Sequence, residues 1–163
     1  MPRNSTPAVR TILLDLLDRC YEKQSWHGPN LKGSIRGLTP GQACWRPSPG
    51  RHSIAEHVLH AAYWKYTVRR RLLGEARGSF ALDGSNWFRV ESCDDDEWRE
   101  HKKRLDTEHK QLRMAVREFP VSRLGARSER SKFTYLDTIM GIAQHDLYHT
   151  GQIQLIKRLY LAH

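Results

Sequence analysis

Cysteine is scarce and poorly spaced for structural use: Cys20, Cys44 and Cys93 are the three thiols in 163 residues. An odd number, far apart and without a C-x-x-C pair, excludes a sequence-evident zinc knuckle, a thioredoxin-type redox pair and a disulfide framework. Three reduced thiols used mainly in packing are therefore expected, as in a reducing cytoplasm. Long apolar runs are also missing. No segment approaches the ~18–20 residues that a bilayer span requires. The first residues, Met1-Pro2-Arg3-Asn4-Ser5, contain no apolar signal core. The expectation is a cytoplasmic protein with no membrane partner. Acidic residues are the minority, 18 against 27 lysines and arginines, for a formal charge of +9. Such a charge suits an anionic small molecule, nucleic acid or simple solubility. Its densest cluster, Arg69-Arg70-Arg71 followed by Arg77, falls at a predicted helix end, where cations favour the helix dipole. No recognition helix, zinc finger or RNP motif accompanies it, so nucleic acid is a minor expectation. Internal repeats, low-complexity segments and a strand series are missing as well.

The apolar content is lowish at 39%, yet it is periodic, which argues for folding. The length fits one domain over residues 1–163. Four helical stretches emerge. The first runs from Thr6 to Trp26, with Val9, Ile12, Leu13, Leu16, Leu17 and Cys20 at helical spacing and His27-Gly28-Pro29-Asn30 as the stop. The second begins at Ser53, whose capping box closes with Glu56, and ends at Gly74. The third starts near Asp94-Asp95-Asp96 and stops before Pro120, with a polar face read as solvated. The fourth runs from Thr134 to Tyr160. Before the second helix come a short element near Asn30–Gly37, a capped turn at Leu38–Ala43 and a proline-fixed loop at Trp45–Gly50. The Glu75–Cys93 connection, with Trp87-Phe88, is long for a compact domain and so is a candidate for function.

The chemistry-bearing pattern lies in the fourth helix. His145 and His149 are four apart and share one face. That face is the seam Ile142, His145, His149, Gln152 or Ile153, and Ile156, the stripe a bundle helix buries. Buried imidazoles need partners, and one metal ion would satisfy both while requiring them neutral. A two-histidine site needs a further ligand. The second helix offers His57 and His60, and the helical wheel puts His57 somewhat nearer the apolar face, so periodicity does not choose His60. His52 is read as solvent-exposed, and His27, His101, His109 and His163 as surface or packing residues.

Two segments resemble the DinB/YfiT-like superfamily. Ser53-Ile54-Ala55-Glu56-His57-Val58-Leu59-His60 is similar to its helix-two motif, and His145-x-x-x-His149-x-Gly151-Gln152 to its helix-four motif. Leu38-Thr39 and Trp45-Arg46-Pro47 are similar to the family's lead-in. The resemblance selects His60 and implies a His60–His145–His149 ligand set. It also implies an all-α, up-down-down-up four-helix bundle with a long crossover between helices two and three, often dimeric. The implied cofactor is one divalent ion, zinc or nickel foremost, with iron and manganese as alternatives. A low-molecular-weight thiol such as bacillithiol or mycothiol is the implied co-substrate of some members.

Three histidines leave an ion its full charge and an open coordination position, the pattern of catalytic zinc. The expected function is metal-dependent transfer or hydrolysis, with the resemblance adding thiol S-transfer as one form of the former. The alternative is a non-catalytic metal-binding bundle acting as a stress-response or interaction module. No general base is assigned. Supporting or pocket roles fall to His57, Asp146, Gln152, Trp64 and Trp87. Of these, Asp146 lies about 100° around the helix from His145, which leaves it beside the site or on the surface. Trp64 is read as a core aromatic and Trp87 as a cover.

Overall fold

A computed structural model describes residues 5–76, 78, 80–128 and 131–162; Arg77 and His163 lie outside them. The described chain is helical, with six α-helices and no named strand among those residues. These are α1 (Ser5–Tyr21), α2 (Leu31–Ser34), α3 (Pro40–Cys44), α4 (Ile54–Leu73), α5 (Asp95–Glu118) and α6 (Tyr135–Leu161), with a 3-10 turn at Val121–Arg123. None of these helices is long and apolar enough to cross a membrane.

Most helix starts follow from local chemistry. The first N–H groups of a helix lack intrahelical partners, and a capping box supplies them at Thr39/Gln42, Ser53/Glu56, Asp94/Glu97 and Thr134/Asp137. α4 ends on Gly74, whose φ of 70° is the left-handed conformation that glycine tolerates without strain. The first helix ends at Tyr21, five residues before the expected Trp26. Both Glu22 and Lys23 turn their N–H groups onto the Asp18 carbonyl. Asn30 Nδ2 takes the Lys23 carbonyl, and an Arg19 guanidinium N–H that of Gln24. With no apolar stripe beyond Tyr21, nothing rewards another turn, and Trp26 is fully exposed.

α1 packs on α5 and α6, and α4 packs on the same two helices. Their buried side chains form two apolar clusters. One contains Leu31, Ile54, Leu59, Trp98, Leu105 and Ile153. The other contains Leu17, Val68, Leu112, Ile139 and Ile142. A polar layer lies where they meet. Lys65 falls between Ala62 and Val68 on α4, His109 between Leu105 and Leu112 on α5, and Asp146 between Ala143 and Ile153 on α6. Lys65 and Asp146 are both fully buried and bonded at 2.5 Å. His109 Nδ1 lies 3.4 Å from Lys65 Nζ, and its ring stacks on Tyr21 at 3.8 Å. The polar face expected for the third helix is therefore not wholly solvated. His109 is 1% exposed, and Asp106 ties Tyr21 and Lys32 to α5.

Breaking one side of a buried ion pair strands the other charge. Lys65→Met should therefore lower unfolding free energy by about 3–5 kcal/mol, while Lys65→Met with Asp146→Leu recovers most of the loss. Urea unfolding of the two variants checks this; equal losses in single and double variants would remove the ion pair as the cause.

Candidate metal centre

Two short stretches of helix supply the site. On α4, His57 and His60 are three residues apart and buried; on α6, His145 and His149 are four apart, with His149 1% exposed. Both pairs project toward the α4–α6 contact, as i,i+3 and i,i+4 spacing requires. His60 Nε2 lies 3.1 Å from His145 Nε2, and His149 Nε2 lies 3.0 Å from the same atom. Among the described residues, His60, His145 and His149 form the group able to hold a metal ion.

The outer ring nitrogens fix which inner nitrogens carry lone pairs. His60 Nδ1 donates to the Asn86 carbonyl at 2.8 Å, so a neutral His60 presents a bare Nε2. His149 Nδ1 faces His57 Nδ1 at 3.0 Å, one donating to the other. With His149 as donor, its Nε2 is bare as well. His145 Nδ1 is buried and has no hydrogen-bond partner among the described residues. Protons alone cannot satisfy three converging Nε2 atoms: a single N–H on His145 reaches one neighbour and leaves the other opposed. A cation at their centre satisfies all three. Tetrahedral ligands at 2.0–2.1 Å from zinc stand about 3.3 Å apart, close to the 3.1 and 3.0 Å from His145 Nε2 to its two neighbours.

The surroundings of the rings favour their neutral form. Burial first, and then the neighbouring imidazoles, push His57 and His145 down to about 3 and His149 to about 4. Burial lowers His60 too, opposed by its bond to Asn86.

The α4–α5 crossover forms one wall. The Trp87 indole stacks on His60 at 3.8 Å and on His52 at 3.6 Å. Trp64 Nε1 donates to the Asn86 side-chain oxygen. Asn86 has φ 69°, a left-handed conformation that asparagine adopts more readily than most residues. The crossover is anchored by Glu56, which accepts from the Val90 N–H and from both terminal guanidinium nitrogens of Arg46, while Arg46 donates onward to the Val90 carbonyl. Burial alone would raise the Glu56 carboxyl, but Arg46, Val90 and His52 hold it down at about 2. The histidine cluster lies between two openings. A cleft of ≈470 Å³ reaches His149 past Arg51, His52, Trp87 and Tyr148. Another of ≈570 Å³ reaches His145 past Trp64, Arg71 and Phe133.

The sequence-predicted residues therefore separate. His60, His145 and His149 converge, with His57 behind His149. Trp87 covers the rings. Trp64 is half-buried, packed against the second apolar cluster with its ring beside His60 and His145. Gln152 lines the first cleft and donates to the Tyr148 hydroxyl. Asp146 is neither on the surface nor bonded to His145; it points into the core against Lys65. His52 is exposed, as expected, and also stacks on Trp87 and bonds Glu56. Asn86 was missed, because a backbone carbonyl leaves no residue-type signature.

The class that this arrangement defines is an all-α protein with a three-histidine cluster suited to a metal ion. More narrowly, the chain belongs to the DinB superfamily, whose sequence profile matches residues 25–153. Among curated proteins there is no match.

Neutral buried histidines make stability depend on pH. His57, His145, His149 and, in the polar layer, His109 at about 2 all fall below the ordinary 6.5. Between pH 6.5 and about 4 the unfolded chain binds protons that the fold refuses, so stability is full above pH 6.5 and falls as pH drops. Each group adds a slope of up to about 1.4 kcal/mol per pH unit. Urea titrations of metal-stripped protein from pH 7.5 to 5 should show this decline; a level profile would mean the rings take up protons while folded.

Proposed function

We propose that His60, His145 and His149 hold one divalent ion through their Nε2 atoms, and that the protein is a metal-dependent transferase or hydrolase. Transfer of a low-molecular-weight thiol to an electrophile is one candidate reaction, hydrolysis the other. The observation that carries this reading is the convergence of three Nε2 atoms from neutral rings, with two of the outer nitrogens engaged by other groups. Zinc and nickel suit an all-imidazole set best, with iron or manganese as alternatives. When bound, such an ion supplies a Lewis acid with an open position, which acidifies a water or a thiol.

The chain's own residues have separable tasks. The Asn86 carbonyl keeps the proton of His60 on Nδ1, and His57 accepts the corresponding proton of His149. Trp87 and Trp64 keep water from the flanks of the rings. Arg51 and Arg71, at the mouths of the two clefts, favour an anionic or carboxylate-bearing substrate.

The scaffold in this reading is an up-down-down-up bundle forming a single domain. Its supports are pairwise. Arg10 meets Phe119 and Tyr21 meets Asp106, which makes α1 and α5 antiparallel. Leu59 shares a cleft with His101 while Lys65 meets His109, so α4 and α5 are parallel. His57 meets His149, and Val68 shares a cleft with Ile142, so α4 and α6 are antiparallel. A homodimer in the cytoplasm belongs to the same reading, and α6 leaves Tyr148, Leu155 and Leu159 exposed for a second copy.

Elemental analysis of tag-free protein is expected to give one ion per chain. His60→Ala, His145→Ala and His149→Ala should each abolish stoichiometric metal, and unchanged content in all three would refute the assignment. His57→Ala should keep the metal but weaken its affinity roughly 10–100-fold, as loss of a group that orients a ligand does. Metal-loaded protein is then offered small thiols with an electrophile, and separately simple esters. Thiol consumption or ester cleavage that is lost in His149→Ala supports an enzyme. Bound metal with neither reaction makes the protein a metal-binding module.

A further inference from the structure

Outside the histidine cluster, two sulfurs come unusually close. Cys44 is the last residue of α3, and Cys93 directly precedes Asp94, the N-cap of α5. Their Sγ atoms lie 2.7 Å apart across 49 residues of sequence. That is well inside ordinary non-bonded contact and within about 0.7 Å of a disulfide bond length. We propose that Cys44 and Cys93 are a reversible oxidation site that closes into a disulfide on exposure to hydrogen peroxide, tying the α4–α5 crossover to α3.

The two backbones that carry the sulfurs are held independently. The α3 segment is fixed by the Thr39/Gln42 capping box and by Trp98, whose indole N–H donates to the Leu38 carbonyl at 3.0 Å. The crossover is fixed at Val90 by Glu56 and Arg46. Closing the pair therefore needs little further ordering. Both cysteines are half-buried, accessible to a molecule as small as peroxide, whereas Cys20 is 1% exposed. Burial, and then the contact with Cys93, push the Cys44 thiol up to about 12. Either sulfur can donate across the contact, and the same steps follow whichever reacts first.

The chemistry balances with one peroxide. The Cys93 sulfur, giving up its proton, attacks one peroxide oxygen; the O–O bond breaks, leaving a sulfenic acid on Cys93 and releasing water. The Cys44 sulfur then attacks the Cys93 sulfur. The S–O bond breaks and hydroxide departs with the Cys44 proton as a second water. Two thiols lose two electrons and two protons, and the peroxide is reduced to two waters. A dithiol reductant reverses the step. The segment so tethered carries the Asn86 carbonyl bonded to His60 and the Trp87 ring stacked on it.

The test uses the reduced full chain, with and without a chelator, treated with stoichiometric hydrogen peroxide, then unfolded in an alkylating reagent and weighed. The expected product is monomeric, lighter by about 2 Da before alkylation. It carries one alkylated cysteine, Cys20, instead of the three of the reduced chain. Digestion joins the Cys44 and Cys93 peptides, and dithiothreitol restores three alkylation sites. The midpoint of thermal unfolding should rise by roughly 5 °C or more on oxidation. Cys44→Ser and Cys93→Ser should show neither change. Three alkylatable thiols after peroxide, oxygen adducts without a cross-link, or a cross-link between chains would overturn the proposal. The mass readout does not depend on bound metal, so its failure is distinguishable from failure of the metal assignment.

Discussion

A salt bridge with no exposed surface on either partner, Lys65 to Asp146, fixes how α4 and α6 lie along one another. The histidines depend on that register. On α6, His145 and Asp146 are consecutive, so they point about 100° apart: one ring enters the cluster while the next side chain enters the core. On α4, His57, His60 and Lys65 follow one another along the helix, with Lys65 turned about 140° from His60 toward the core, and their partners on α6 are His149, His145 and Asp146. A slip of one residue would rotate His145 away from His60 and at the same time strand a buried carboxylate. The pairing that is costly to break is therefore also the one that aligns the three Nε2 atoms. Replacing it with apolar side chains could preserve stability, but it would remove the directional contact that distinguishes this register from its neighbours.

Proton placement forms a second layer of control. A chain with a formal charge of +9 keeps a cluster of uncharged imidazoles because burial disfavours their protonated form. Burial alone does not decide which nitrogen of each ring is bare. That falls to ordinary acceptors: the Asn86 carbonyl for His60 and, with His149 as donor, the His57 ring for His149. The outer nitrogen of His145 has no hydrogen-bond partner among the described residues. The cluster thus combines two oriented rings with one whose orientation comes from packing between Trp64 and His149.

Much of this was legible in the sequence where the determining chemistry is local. The Ser53/Glu56 capping box is visible in the sequence, the acidic run at Asp94 marks a helix start through the dipole, and Thr134, expected at the start of the fourth helix, is its N-cap. His145 and His149 stood out because two imidazoles lie on one apolar stripe. What was missed depends on contacts between helices. Lys65 follows Ala61 and Ala62 and precedes Val68, and His109 sits between Leu105 and Leu112. Each is a polar residue at an apolar position, a signal visible in its own helix, but nothing in one helix identifies the partner in another. The choice between His57 and His60 stayed open on the helical wheel because both face the α4–α6 contact: one ring meets the Nε2 cluster directly and the other meets His149 from behind. The Cys44–Cys93 contact spans 49 residues, and no spacing rule reaches that far.

The crossover gives these observations a common mechanical basis. Connections of this length in a compact fold are costly to order unless contacts along them compensate, and here the contacts serve the histidines. Glu56 completes the α4 capping box and holds Val90 and Arg46, so one carboxylate starts the helix that carries His57 and His60 and anchors the segment that covers them. Between that anchor and Gly74, the backbone turns left-handed at Asn86, which presents its carbonyl to His60 while its side chain reaches Trp64. A residue with a branched or bulky side chain at position 86 would resist that φ, and none of the others could supply the amide oxygen that asparagine gives Trp64 at the same point. The wall of the site is therefore set by one backbone conformation, held from below by Glu56 and from within by an indole N–H. Any force that loosens or tightens the crossover acts on the His60 ring through a single hydrogen bond and a single stacked face.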